Sequence, residues 1–215
     1  MKKIVIFDGG FGGELFADYF EQELPVVEVI RVIDWRHANQ ILKSPKDARR
    51  AALEALRPYL GTVDLIIFAN HLLTLTSLDY FRRKFKNQKF SGLPIIKPVN
   101  SDKTLILTTK AVRETLNDYT FRHRLKGAVK EITLDSWPNL IDDGELTEDQ
   151  MRKDLASVLD FHPDTIVLEN ATFIDVRKEL HRIIGHNLTI NTGYQEAFDL
   201  ARRELKFKGA TRKKM

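Results

Sequence analysis

The chain contains no cysteine. That absence excludes disulfides, thiolate zinc sites, iron–sulfur ligation and every cysteine nucleophile. Long apolar runs are also missing: stretches such as Leu65 to Ala69 are strand-sized, far short of the roughly 20 residues of a membrane-spanning helix. Only four apolar residues follow Lys3 before Asp8, too few for the about 7 to 15 residues of a secretory core, so a cytoplasmic location is expected. No membrane partner is expected either.

What is present describes an ordinary globular protein. Hydrophobic residues make up 43% and charged residues 30% of 215 residues, enough for one large domain or two small ones. The net charge of +4 is uneven, because Lys206, Lys208, Arg212, Lys213 and Lys214 crowd the last ten residues without an acid. The remainder is nearly neutral. A basic tail over 207–215, with Phe207 as its one aromatic, reads as a solvated terminus and argues against a nucleic-acid partner.

Apolar runs at Lys3 to Phe7, Val26 to Ile33, Val63 to Phe68 and Pro94 to Val99 alternate with helical patterns near 12–23, 45–59 and 75–86. The plan repeats after a break near Asn100. Strands are expected at Thr104 to Thr108, Ala128 to Leu134, Thr165 to Leu168 and Leu188 to Ile190, with helices near 110–121, 148–159, 174–184 and 194–206. Ser44 before Pro45 and the capping box Thr147 to Gln150 mark helix starts, and Gly185 marks a helix end. The pattern predicts an α/β fold of two pseudo-symmetric parallel-sheet lobes with a cleft between them. Residues 1–99 form the first lobe, completed by the last helix at 194–206, and 100–193 form the second.

Parallel sheets of this type bind ligands at the carboxyl ends of their strands. Asp8-Gly-Gly-Phe-Gly-Gly13 follows a strand and opens a helix, so its backbone N–H groups could hold an anion. It misses the dinucleotide fingerprint because Leu15 stands where the third glycine belongs, and a tight turn is the plainer reading. Asp34 and His71 follow strands too. A histidine in the cleft titrates near neutrality and could serve as acid or base with Asp8 or Asp34, although a structural role is the commoner fate of such a residue. Arg36, His37 and Lys110 could give the cleft a cationic lining. Trp35 and Trp137 could stack on a ligand or fill space. His181 and His186 are five apart, not the helical spacing of paired ligands, and no metal or cofactor site is expected.

The order of landmarks resembles glutamate racemase and the wider aspartate/glutamate racemase superfamily. Phe7-Asp-Gly-Gly-Phe-Gly-Gly13 is similar to the family's F-D-S-G-V-G-G, and Asp34 to Ser44 is similar to D-T-A-R-x-P-Y-G-x-K-S. Val63 to Asn70 resembles the strand leading into A-C-N-T. Trp137 to Leu146 resembles the stretch after C-P, Asp164 to Asn170 resembles the strand before G-C-T-H, and Asn191-Thr-Gly193 stands where D-S-G is usual. The resemblance implies a cofactor-independent racemase scaffold and a homodimer. The family works by two cysteines on opposite faces of the substrate α-carbon; counted without gaps both positions are asparagine here, Asn70 and Asn170, and with a one-residue gap they are alanine, Ala69 and Ala171. An amide has no titratable group for general-base work. The substrate-holding positions differ as well: Gly9 for serine, Asn39-Gln40-Ile41 for P-Y-G, His71 and Leu72 for asparagine and threonine, Ala171 and Thr172 for threonine and histidine.

The expectation is a racemase-like protein without the two-thiol reaction, acting as a small-carboxylate-binding, regulatory or assembly protein. Ligand-binding candidates are Gly9, Gly10, Arg36, Thr108, Ala171, Thr172 and Thr192. The alternative is an isomerase or lyase on a small amino acid or carboxylate that uses His71 with Asp8 or Asp34. In a third arrangement, Trp35 fills the substrate space and closes the cleft.

Overall fold

In the computed structural model, which describes residues 1–37, 44–94, 101–117 and 127–206, the strands form two four-stranded parallel sheets. The first holds β1 (Lys2–Asp8), β2 (Val27–Ile33), β3 (Leu65–Phe68) and β4 (Phe90–Gly92), in the order β2-β1-β3-β4. The second holds β5 (Lys103–Thr108), β6 (Ala128–Thr133), β7 (Thr165–Leu168) and β8 (Thr189–Asn191), in the order β6-β5-β7-β8. The central strands are apolar almost throughout because helices cover both faces: Ile4 to Phe7 and Leu65 to Phe68 are fully buried.

The two sheets repeat each other in register. Lys3 pairs with Glu28 and Lys103 with Ala128; Ile4 pairs with Leu65 and Thr104 with Thr165; Ile66 pairs with Phe90 and Ile166 with Ile190. Each position recurs one hundred residues later. Even the closing contacts match, since the carboxylate of Asp64 accepts the Lys3 N–H and that of Asp164 accepts the Lys103 N–H.

The helices differ more than the strands. In the first half these are α1 (Phe11–Glu23), α2 (Pro45–Leu56) and α3 (His71–Lys84). In the second half these are α4 (Lys110–Asn117), α5 (Trp137–Asp142), α6 (Glu148–Leu159), α7 (Arg177–Ile184) and α8 (Tyr194–Glu204). Although α8 follows the second sheet, it buries Tyr194, Ala197, Phe198 and Ala201 in the same cluster as Phe16 and Phe20 of α1 and Ile4 and Ile67 of the first sheet. Ring centroids lie 4.8 Å apart for Phe16 and Tyr194 and 5.1 Å for Phe20 and Phe198. Burying such aromatics contributes about 1.5 to 3 kcal/mol each.

Ser44 and Thr147 cap their helices through Asp47 and Gln150 N–H groups, and Gly185 ends α7 at a φ of 150° that side chains rarely adopt. Three elements depart from the pattern reading. The fourth strand is Phe90–Gly92, tied to β3 by Ile66 N–H to Lys89 O and Leu93 N–H to Phe68 O, whereas most of Pro94 to Val99 lies outside the described residues. The third helix starts at His71 and not near 75, because Asn70 caps it. A 3₁₀ segment at Ala171–Val176 precedes α7. The break near Asn100 and the tail over 207–215 lie outside the described residues. Among the described residues, no helix is long and apolar enough to cross a membrane.

Candidate functional site

The carboxyl ends of the two sheets face each other across a cavity of about 400 Å³. Asp8, Gly9 and Gly10 line it from the end of β1, Asn70 from the end of β3, Thr109 to Ala111 and Glu114 from β5 and α4. Asp135, Pro138, Asn139 and Asp142 come from the turn after β6 and from α5, and Asn170 and Thr172 from the end of β7. Both lobes therefore build one site.

The two asparagines have the same local job. Asn70 sits in extended backbone and its Oδ1 accepts the Leu73 N–H at 2.9 Å; Asn170 does likewise with the Thr172 N–H, also at 2.9 Å. A helix start leaves such N–H groups without an intrahelical partner, and asparagine is among the residues that best satisfy them. Asn70 also donates from Nδ2 to Asp8 Oδ1 at 3.0 Å, which ties β3 to β1 at the cavity floor.

Asp8 is 3% exposed and accepts the Gly9 N–H at 2.6 Å through the same oxygen. Burial pushes its carboxyl up to about 7; the Gly9 and Asn70 hydrogen bonds oppose the rise and the Asp142 charge adds to it. Asp142 is pushed up to about 6, first by burial, against the Phe11 N–H that favours its charged form. A Cβ on Gly10 would stand 3.0 Å from Asp142 Oδ2. The carboxylate of the second lobe thus rests on the glycine loop of the first, so close that a side chain on Gly10 would make it shift.

His71 does not line this cavity. It is 2% exposed, neither ring nitrogen has a hydrogen-bond partner, and burial lowers its pKa to about 4. The ring borders a separate void of about 20 Å³ with Thr109, Glu169 and Ala171, behind the asparagine pair. Its position as the first residue of α3 turns it into the helix interface, so it forms no pair with Asp8. Asp34 is 5% exposed and lies at another depression with Arg31, Trp35 and Tyr59, where Arg36 Nε approaches it at 3.5 Å. The sheet order puts β2 on the far side of β1 from β3, so Asp34 cannot join Asn70 and His71.

Gly9, Gly10 and Thr172 line the cavity as expected. Thr108 is fully buried, and its neighbour Thr109 reaches the cavity instead. Ala171 lines the small void, Arg36 the Asp34 depression, and Thr192 Oγ1 accepts the Tyr194 N–H at the start of α8, on the edge-strand side of the second sheet. Trp35 is 51% exposed and does not close the cavity, and Trp137 is fully buried against Phe173, with its indole N–H donating to Asp154 at 2.8 Å. Lys110 lines the cavity, but its N–H donates to Asp135 at 2.6 Å and its Nζ lies 3.9 Å from Glu114. The side chain of His37, and Asn39, Gln40 and Ile41, lie outside the described residues. Asp135, Asn139 and Asp142 also line the cavity, although none is singled out above as a candidate; Asn139 and Asp142 lie within the Trp137 to Leu146 stretch, and Asp135 lies just after β6.

The arrangement matches known structures closely. Escherichia coli glutamate racemase, in complex with L-glutamate and an activator, superimposes with a TM-score of 0.82 at 18% identity, over 97% of this chain and 84% of that one. The chain has the glutamate racemase fold. Glutamate racemase from Aquifex pyrophilus gives a TM-score of 0.72 at 20% identity, covering 94% and 83%, and aspartate racemase from Picrophilus torridus gives 0.57 at 14%, covering 96% and 95%. In sequence, the chain is 28% identical over 212 residues to glutamate racemase from Ralstonia pickettii, covering 92% of this chain and 74% of that one. In sequence it is similar to that racemase, and in fold to the solved ones. No family model matches it.

Proposed function

We propose that this glutamate racemase homologue does not interconvert amino-acid enantiomers and that it binds an amino-acid-sized molecule in the cavity between its lobes, as a regulatory or assembly component. The supporting observation is the pair Asn70 and Asn170. They stand on the cavity wall at the positions matched to the family's two cysteines, and each is committed to a helix cap. Racemisation needs an acid and a base on opposite faces of the carbon with pKa values near the working pH, and an amide supplies neither. Chiral chromatography of L- and D-glutamate and of both aspartates, after long incubation with concentrated protein, should show no interconversion. Turnover at an ordinary enzymatic rate would overturn the proposal.

A second reading, an isomerase or lyase using carboxyl groups, is favoured by one observation: Asp8 and Asp142, one from each lobe, line the same cavity with pKa values raised towards neutrality. In this reading Asp8, expected as a partner of His71, works with Asp142 instead. Screening decarboxylation and elimination of small amino acids separates the readings. The proposal also includes a division at about residue 100, a homodimer and a cytoplasmic location. Light scattering that shows a monomer at high concentration would remove the dimer.

A further inference from the structure

The carboxyl-end cleft of an α/β fold ordinarily offers anions a ring of helix N-termini. Here one N–H at each of four such starts is already met by a side chain of the protein itself. The Phe11 N–H of α1 faces Asp142, the Leu73 N–H of α3 is taken by Asn70, the Lys110 N–H of α4 by Asp135, and the Thr172 N–H by Asn170. The formal charge on the wall is mostly acidic. Among the described lining residues, the charged groups are Asp8, Glu114, Asp135 and Asp142 against Lys110, and Lys110 already lies beside Glu114.

We propose that the cavity selects a small cationic amine over a carboxylate, with Asp8 and Asp142 receiving its ammonium group. This rests on the binding reading above and names its ligand class. The two carboxyl groups come from different lobes, and Asp142 stands close enough to Asp8 to disfavour a second negative charge there. An ammonium removes that conflict, because each carboxyl then meets a cation in place of another acid. A dicarboxylate does the reverse: it brings more negative charge to a wall on which four acids already stand against one lysine.

The test uses the full chain and ligands of one carbon skeleton: pentylamine, pentane-diamine and glutarate, by titration calorimetry at low salt. The amines should bind about tenfold or more tightly than glutarate, and Asp142→Asn should weaken them about tenfold. Asp8→Asn gives the same comparison if the first variant fails to fold, with circular dichroism reporting the fold of each. Tighter binding of glutarate, equal affinities, or no heat from either amine at about 10 mM overturns the inference. Glutarate binding without racemisation would overturn this inference alone and leave the binding reading standing, whereas glutamate turnover would sink that reading.

Discussion

Two halves built on one register have come to carry different chemistry. At the end of β1 stands Asp8, and one hundred residues later, at the end of β5, stands Thr108; both are buried, and both offer a backbone oxygen to the residue closing the neighbouring strand, Asp34 or Leu134. The first lobe places a charge at the cavity floor from its central strand. The second lobe has a hydroxyl at that strand end, Thr108, which is buried away from the cavity, and it brings its carboxyl in from α5, through Asp142. The same divergence appears beside the caps. Asn70 ties its helix start to Asp8, whereas the Thr108 hydroxyl donates to the Thr109 carbonyl. Backbone registry survives such divergence because it is set by strand pairing, while a single side chain at a strand end decides what the site holds.

The largest asymmetry is α8, which belongs to the second half by sequence and to the first core by packing. Phe198→Ala removes a 4% exposed ring from between Tyr19 and Phe20 and should cost about 3 to 5 kcal/mol in urea denaturation. A loss below about 1 kcal/mol would mean that α8 is not part of the first lobe's core.

The Asp8 against Thr108 contrast has a pH signature. The folded pKa of Asp8 is raised to about 7 from an ordinary 3.8, so the folded state holds its proton more tightly. The corresponding stability is present below pH about 4 and lost as pH rises towards 7. Asp8→Asn should flatten the stability profile across that window by on the order of 4 kcal/mol relative to the parent chain. The groups facing Asp8, chiefly Asp142 with Asn70 and the Gly9 N–H, are unchanged, so the difference between the two profiles reports Asp8. Parallel profiles would mean that Asp8 titrates as an exposed acid.

The caps give the smallest and most symmetric comparison. Asn170→Ala should cost about 1 kcal/mol. Asn70→Ala should cost somewhat more, about 1 to 2 kcal/mol, because Asp8 also loses a donor. Thermal melts of the two variants check this, and equal costs would show that the Asn70 to Asp8 bond adds nothing.

Most of the architecture was readable from residue patterns, since fully buried parallel strands such as Leu65 to Phe68 have no other apolar run to be confused with. The fourth strand was not, because Phe90-Ser-Gly92 is too short and too small to carry a period, and only its pairing with Ile66 to Phe68 makes it a strand. The cavity walls at Gly9, Gly10, Asn70, Asn170 and Thr172 followed from the rule that strand carboxyl ends bind ligands. His71 and Asp34 failed for reasons that no linear pattern holds. The first turn of α3 rotates His71 into a buried interface, and the sheet order separates Asp34 from β3. Asp142 was overlooked because its role depends on reaching across to Gly10 from the other lobe.

The central claim is that the asparagine pair cannot move the α-proton of an amino acid. Its most direct test is proton NMR of L-glutamate in heavy water with the purified protein, following the α-hydrogen signal over long incubation. The account predicts loss of that signal no faster than in a protein-free control. Exchange of the α-hydrogen at an enzymatic rate, accompanied by D-glutamate, would contradict it.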